Sequence, residues 1–182
     1  MLKIALDAGH GAQTPGKRTP DGRMREFQFN EAVAVELKKR WMKKGWLVVF
    51  THDKTKDVSL HERVELANRM KVDLFVSIHA NAFGSGWNDA NGIETFTCTH
   101  AQPTSRAIAQ AIQLSLSKRT GRKNRGVKEA DFTVLKRTFM PAVLVECGFM
   151  TNKEEAALLQ STAYRQLCAE AIGIGVEEYF QQ

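Results

Sequence analysis

Lys3 to Gly11 reads KIALDAGHG, and the way this stretch ends decides the fold. Its apolar run has strand character, and the glycines on either side of His10 let the backbone turn sharply and let another group come close to the imidazole. His10 is thereby presented at a strand end. The construction recurs in DLFVSIHAN, where Asp73 to Ile78 reads as a buried strand followed by His79, and in PAVLVECGF, where Glu146 closes the apolar run Ala142 to Val145. Run parallel, the three strands bring their C-terminal ends to one edge of a sheet, which is where open α/β folds place their sites.

The remaining segments alternate helix with strand. Gly11 to Arg25 is too polar and too broken by Gly and Pro for regular structure. From Glu26 to Lys44, Phe29, Val33, Leu37 and Trp41 recur at i+4, with basic residues in the last turns and Gly45 as the stop. Glu26 lies in the first turn, where the helix dipole favours a carboxylate. Trp46 to Thr51 reads as a strand; Ser59 and Glu62 form a capping box for a helix to about Met70, with Leu60, Val64 and Ala67 on its inner face. Residues 82–92, AFGSGWNDANG, read as a flexible loop beside His79 and a candidate lid. A strand over 92–99, a helix over 105–118, a short strand near Phe132 to Leu135, a short helix capped by Asn152 and a closing helix over 163–180 complete the pattern. This predicts an α/β fold: a single domain over residues 1–182, with a mostly parallel central sheet flanked by helices.

Composition excludes several classes. The chain has 182 residues, 43% hydrophobic and 25% charged, which suits one soluble globular domain. No apolar run reaches membrane-spanning length, and the start MLKIALDAGHG lacks the charged and apolar regions of an export signal. The expectation is therefore a protein released without a leader, or a domain excised from a longer one. A net charge of +6 favours an acidic partner. The basic residues are spread over 38–44, 118–125 and 136–137 with no nucleic-acid motif, so a solvated basic face or an anionic matrix such as a bacterial wall is the better reading. Cys98, Cys147 and Cys168 form neither a disulfide framework nor a CxxC pair, and are read as buried free thiols. Strand alternation turns Cys147 away from whatever Glu146 faces.

Two imidazoles and a carboxylate suit a catalytic zinc whose fourth position is left to water. His10, Glu26 and His79 fill that set, one zinc per chain, and leave Glu146 as the base. Taken singly, each has a plain structural reading as a hydrogen-bonded strand-end or helix-start residue; together on one sheet edge they do not. His52 stands in reserve, His61 falls in a polar helical turn and His100 in a loop. GAQTPGK at Gly11 to Lys17 has the spacing of a phosphate loop, but Arg18 replaces the Ser or Thr that would hold magnesium, and Pro20 to Gly22 prevent a helix from starting there.

LDAGHG, EFQFN, LHERVELAN, SIHANA, RGVK and VLKRTFMPAVLVECGFMTN, in this order over nearly the whole chain, resemble the zinc-dependent N-acetylmuramoyl-L-alanine amidases of the Amidase_3 type, found in autolysins and phage endolysins. The resemblance implies zinc ligation by His10, Glu26 and His79, catalysis by Glu146, and peptidoglycan as substrate, cut between N-acetylmuramic acid and L-alanine. It implies action on the bacterial wall as a phage-released lysin, a mother-cell lysis enzyme or an excised catalytic domain. A monomer that binds neither nucleic acid nor membrane is expected. Arg63, Asn68 and Asn81 fall in family blocks as supports. Ala8, Ala12 and His52 depart from the family's usual Pro, Gly and Arg. A non-catalytic wall-binding module, and a zinc peptidase or deacetylase, are the alternatives.

Overall fold

In the computed structural model, which describes residues 1–181, β1 (Lys3–Ala8), β2 (Leu47–Phe50), β3 (Leu74–Asn81), β4 (Ile93–Thr97), β5 (Asn124–Glu129) and β6 (Ala142–Phe149) form one sheet in the order β2-β1-β3-β6-β4-β5. All neighbours are parallel except β4 and β6. The central strands are apolar on both sides because both faces are covered there. Against one face lie α1 (Glu26–Lys43), α3 (Pro103–Thr120) and α6 (Thr162–Phe180), which bury Val33, Leu37, Trp41, Ile112 and Ile172 over Ile4, Leu6, Val76, Ile78, Val143 and Val145. Gly175 lets α6 approach α3: a Cβ there would stand 2.6 Å from the Ile112 Cα. A short helix, α5 (Lys153–Gln160), begins at Asn152, whose side chain accepts from the Glu155 N–H.

The opposite face is covered only in part. α2 (Leu60–Met70) and α4 (Thr133–Lys136) bury Val64, Ala67, Val134 and Leu135 over Ala5, Phe75, Ala142 and Leu144. Two residues further along each strand the same face carries Asp7, Ser77 and Glu146, with His79 paired to Glu146 in register. The inward positions thus change from apolar to polar along three strands at once, at the level where the helices stop. That boundary is the floor of the site.

The differences from the sequence reading are local. Phe132 to Leu135 is no strand; Phe132 caps α4, and the strand before β6 is Asn124–Glu129. That segment, NRGVKE, lacks apolar alternation because β5 is a sheet edge, where charged side chains are tolerated and protect against mispairing. β3 and β6 run on to Asn81 and Phe149, so His79 and Glu146 lie within their strands, and the ladder is irregular just past them, between His79 and Asn81. Leu60 is half exposed rather than on the inner face of α2. The loop over 82–92 is fastened: the Phe83 and Asn88 N–H groups donate to the Thr151 hydroxyl and carbonyl, and the Asn88 amide donates to the carbonyls of Phe83 and Gly86. Cys147 and Cys168 are buried free thiols, but Cys98 is half-buried with its thiol against Asp131 at 3.3 Å. Cys147 joins the core behind the sheet while Glu146 faces the cavity in front. Among the described residues no helix is long and apolar enough to cross a membrane.

Candidate metal centre and catalytic cleft

β1 ends in a backbone held against its preference. His10 has φ +61°, in the left-handed region that costs a non-glycine residue about 1 kcal/mol or more. Arg63, almost wholly buried in α2, holds it: Nη2 donates to the His10 carbonyl at 2.6 Å, Nη1 to the Ala8 carbonyl at 2.6 Å and to Asp7 Oδ1 at 2.7 Å, and Nε to the Val58 carbonyl at 2.9 Å. Asp7 also accepts from Thr51 and Ser77, each at 2.7 Å. Burial pushes the Asp7 carboxyl up, but the Arg63 charge and the three donors outweigh it and hold it below the usual carboxylate range.

This network reaches the histidines. Ser77 spends its proton on Asp7, so its oxygen accepts from His79 Nε2 at 3.1 Å, and Nε2 therefore carries the hydrogen. His79 Nδ1 is then left facing Glu26 Oε1 at 2.9 Å, while His10 Nε2 stands 3.2 Å from Glu26 Oε2. Asn30, one turn into α1, donates to Glu26 Oε1 and to the Gly9 carbonyl, and the Ala80 N–H also donates to Oε1. Burial raises the Glu26 carboxyl, yet the two imidazoles win and hold it far below its ordinary value; burial likewise lowers His79, and the hydrogen bond to Glu26 raises it above its ordinary value. At 2.9 Å, a proton on Nδ1 or a metal ion shared with the carboxylate joins the two.

The residues fit a zinc ion on these grounds. The three donor atoms lie within 4.8 Å of one another. Neighbouring donors of a tetrahedral zinc, at bond lengths near 2.0–2.1 Å, stand about 3.3 Å apart, and each imidazole faces its own Glu26 oxygen at a similar distance, His10 Nε2 at 3.2 Å from Oε2 and His79 Nδ1 at 2.9 Å from Oε1. The Nε2–H···Ser77···Asp7 chain is the kind of outer support that fixes a ligating histidine's tautomer. Gly9 is part of the same fit, for a Cβ on it would fall 2.0 Å from His79 Cε1. We expect Gly9→Ala to push the imidazole aside without disturbing the core, lowering zinc affinity by about 10–100-fold at a nearly unchanged melting temperature. Zinc titration beside a thermal melt checks this; an unchanged affinity would refute the close fit.

Glu146 does not touch the cluster's hydrogen bonds. It is paired with His79 across β3 and β6 and with Glu94 across β6 and β4, and its Oε2 is buried with no hydrogen-bond partner. Glu94, by contrast, is saturated by Asn81, Arg125 and Lys128. Burial chiefly, with the charges of Glu26 and Glu94, pushes the Glu146 carboxyl up to about 8 against the opposing pull of His79 and Lys17. A buried carboxyl left unpaired beside a cation site is an arrangement that acid-base chemistry uses.

A cavity of about 390 Å³ opens over Glu146, His10, Glu26 and His79, walled by Asn81, Asp131, Phe132 and Lys17 among others. A second, of about 430 Å³, adjoins it on the far side of the histidines, with Thr14, Asp57, Ser59 and Arg63 in its walls. The structure thus brings the four residues singled out from sequence to one cleft. It sets His52 apart: its Nδ1 accepts the Ala8 N–H at 3.0 Å, and burial lowers its pKa, keeping it neutral. His61 and His100 are exposed at the surface. The phosphate-loop spacing at Gly11 encloses no anion site, since Asp57 fills it by accepting from Gln13 N–H and the Thr14 hydroxyl. Asn68 fastens the segment at Arg137 and Phe139, away from the cleft, whereas Asn81 lines it. Asp7 and Ser77 were not singled out from sequence, though Ser77 lies two residues before His79 and hence on its face, and an aspartate inside an apolar strand needs a partner.

Comparison with known proteins agrees with this geometry. The family model described as N-acetylmuramoyl-L-alanine amidase, Amidase_3, matches residues 4–178. The chain is 36% identical to the N-acetylmuramoyl-L-alanine amidase LytC of Bacillus subtilis over 179 residues, 98% of this chain but 35% of LytC. It is 34% identical to the endolysin of Bacillus phage SPP1, covering 98% of this chain and 66% of the endolysin. It therefore spans only part of the length of several such relatives. Among solved structures, an N-acetylmuramoyl-L-alanine amidase from Clostridium difficile 630 superposes with a TM-score of 0.94 at 34% identity, covering all of this chain and 97% of that one. Matched by the family model over residues 4–178 and by fold, the chain belongs to the Amidase_3 family of N-acetylmuramoyl-L-alanine amidases.

Proposed function

We propose that the chain hydrolyses the amide between the lactyl group of N-acetylmuramic acid and the L-alanine of the stem peptide in peptidoglycan, with zinc held by His10, Glu26 and His79 and with Glu146 as the base. The observation that carries this reading is the unpartnered, buried Glu146 Oε2 beside a two-histidine, one-carboxylate cluster. Zinc bound there supplies Lewis acidity, which acidifies water to a pKa of about 7 and polarises a carbonyl oxygen.

The chain's own residues do the rest. Glu26 keeps the two imidazoles in place from the opposite side, and Asn30 and the Ala80 N–H keep Glu26 in place. Ser77 and Asp7 hold the His79 proton on Nε2, so that Nδ1 stays available. Glu146, brought back toward ionisation by a divalent charge in the adjoining cluster, accepts the proton of the attacking water on Oε2. It then returns that proton to the nitrogen of L-alanine as the amide breaks.

Digestion of purified peptidoglycan followed by mass spectrometry tests the reading. Peptides with a free N-terminal L-alanine and glycan strands stripped of peptide are expected, lost on chelation and restored by zinc. His10→Ala and His79→Ala are each expected to lose bound metal. Cleavage of a different bond would favour a peptidase or deacetylase; no cleavage on several wall types would favour a binding module.

A further inference from the structure

The direction in which substrate lies across the cleft follows from the proton Glu146 must return. That proton goes to the amine of L-alanine, so the peptide leaves over Glu146 and the sugar lies on the other side of the histidines. The two cavities differ in the matching way. The one that contains Glu146 is walled by Lys17, whereas the adjoining one holds neither; its arginine, Arg63, is committed to Asp7.

Lys17 is placed rather than incidental. Its carbonyl accepts the Glu26 N–H at 3.0 Å, and the chain beyond it is tied back where Arg18 bridges Arg25, so its backbone is fastened to the start of the helix that carries Glu26. It is the one lysine or arginine in the cavity wall, and no carboxylate among the described residues lies within ion-pair distance of it. The other cations nearby are spoken for: Lys128 and Arg125 by Glu94, and Lys136 by Asp131 on the opposite wall. Glu146 Oε2 takes no hydrogen bond from Lys17.

We infer that Lys17 forms a carboxylate-binding subsite on the peptide side of the cleft and selects stem peptides whose residue after L-alanine carries a free carboxylate over those in which it is amidated. The inference rests on the amidase reading above. Lys17, an exposed side chain, stands in the same cavity wall as Glu146, so a peptide that leaves over Glu146 carries the residue after L-alanine past its ammonium. A lysine whose charge has no internal partner gains a charge-assisted bond on binding such a group, and an amide in its place offers only a neutral acceptor.

Two soluble muramyl peptides that differ only at the second residue test this: D-glutamate linked through its γ-carboxyl with the α-carboxylate free, or the same residue as the α-amide. The zinc-loaded protein is expected to favour the free acid by about tenfold in kcat/KM, with the difference carried by KM. Lys17→Met is expected to bring the ratio close to one, and Lys17→Arg to keep most of it. A wild-type protein that cuts both equally or prefers the amide, or a preference that survives Lys17→Met, overturns the inference while leaving the amidase reading standing. If neither peptide is cut at the muramyl amide, the reading fails and the inference falls with it.

Discussion

Glu146→Gln is expected to bind zinc as the wild type does and to lose turnover by a factor of about 10²–10⁴ or more. The substitution keeps the shape of a side chain that sits in β6 between His79 and Glu94 and replaces one carboxylate oxygen by an amide nitrogen. A carboxamide cannot accept the proton of water, and it takes no metal from His10, Glu26 or His79. Burial pushes the Glu146 carboxyl up to about 8 in the protein alone, and a divalent charge beside it lowers that value. Because the base form is the ionised one, activity rises with pH through the Glu146 pKa, and in the zinc-loaded enzyme that limb lies below 8. In Glu146→Gln the limb disappears. Metal analysis together with a pH-rate profile decides the matter. A variant that turns over at a near-normal rate would remove Glu146 from the chemistry.

Arg63→Met is expected to cost about 3–5 kcal/mol of stability, because it leaves Asp7 charged, buried and without its main counter-ion. At the size of this chain that is a fall in melting temperature of about 6–20 °C. The Asp7–Arg63 pair is 1–2% exposed on both sides, so water cannot replace what is lost. The pH dependence has a definite sign. In the wild type the Asp7 carboxyl titrates below its unfolded value of about 3.9, so its contribution is complete above that value and is lost as pH falls through it. In Arg63→Met, burial is opposed only by the Ser77 and Thr51 hydroxyls, the carboxyl is pushed up, and protonation relieves the variant. The gap between the two proteins is therefore expected to narrow on acidification. Thermal melts between pH 4 and pH 7 would show it, and equal melting temperatures at neutral pH would overturn the account.

The fold and the candidate site were legible to different depths. The apolar runs at Ile4, Val76 and Val143, each ending near a histidine or glutamate, placed three central strands correctly because buried parallel strands must be apolar on both faces. The helix start at Ser59 was legible because capping is local chemistry, and the one at Glu26 because an i+4 apolar repeat follows a loop broken by Gly and Pro. β5 was not, since NRGVKE carries one large apolar residue and acquires its strand conformation from β4 alone. The short turn at Thr133–Lys136 contains β-branched and apolar residues of strand type, and tertiary packing over Leu144 turned it into a helix. Within the site, residues with obvious chemistry stood out, while Asp7, Ser77 and Lys17 did not. The roles of Asp7 and Ser77 depend on which side chains the sheet register sets opposite them, a property of pairs of strands, and Lys17 reaches the cleft through a loop tied to Glu26.

The strand order has one more consequence. β6, last of the strands in the chain, lies in the middle of the sheet and alone joins β2-β1-β3 to β4-β5. A chain still emerging from the ribosome can pair β1 with β2 and β3, and so gather His10, Glu26 and His79, long before the strand that brings Glu146 has been made. Until then the sheet exists as two separate halves with open edges, which is the state most exposed to mispairing. His10, Glu26 and His79 therefore belong to strands and a helix made early, and Glu146 to the last strand, so that the four-residue cleft is complete only when the sheet is.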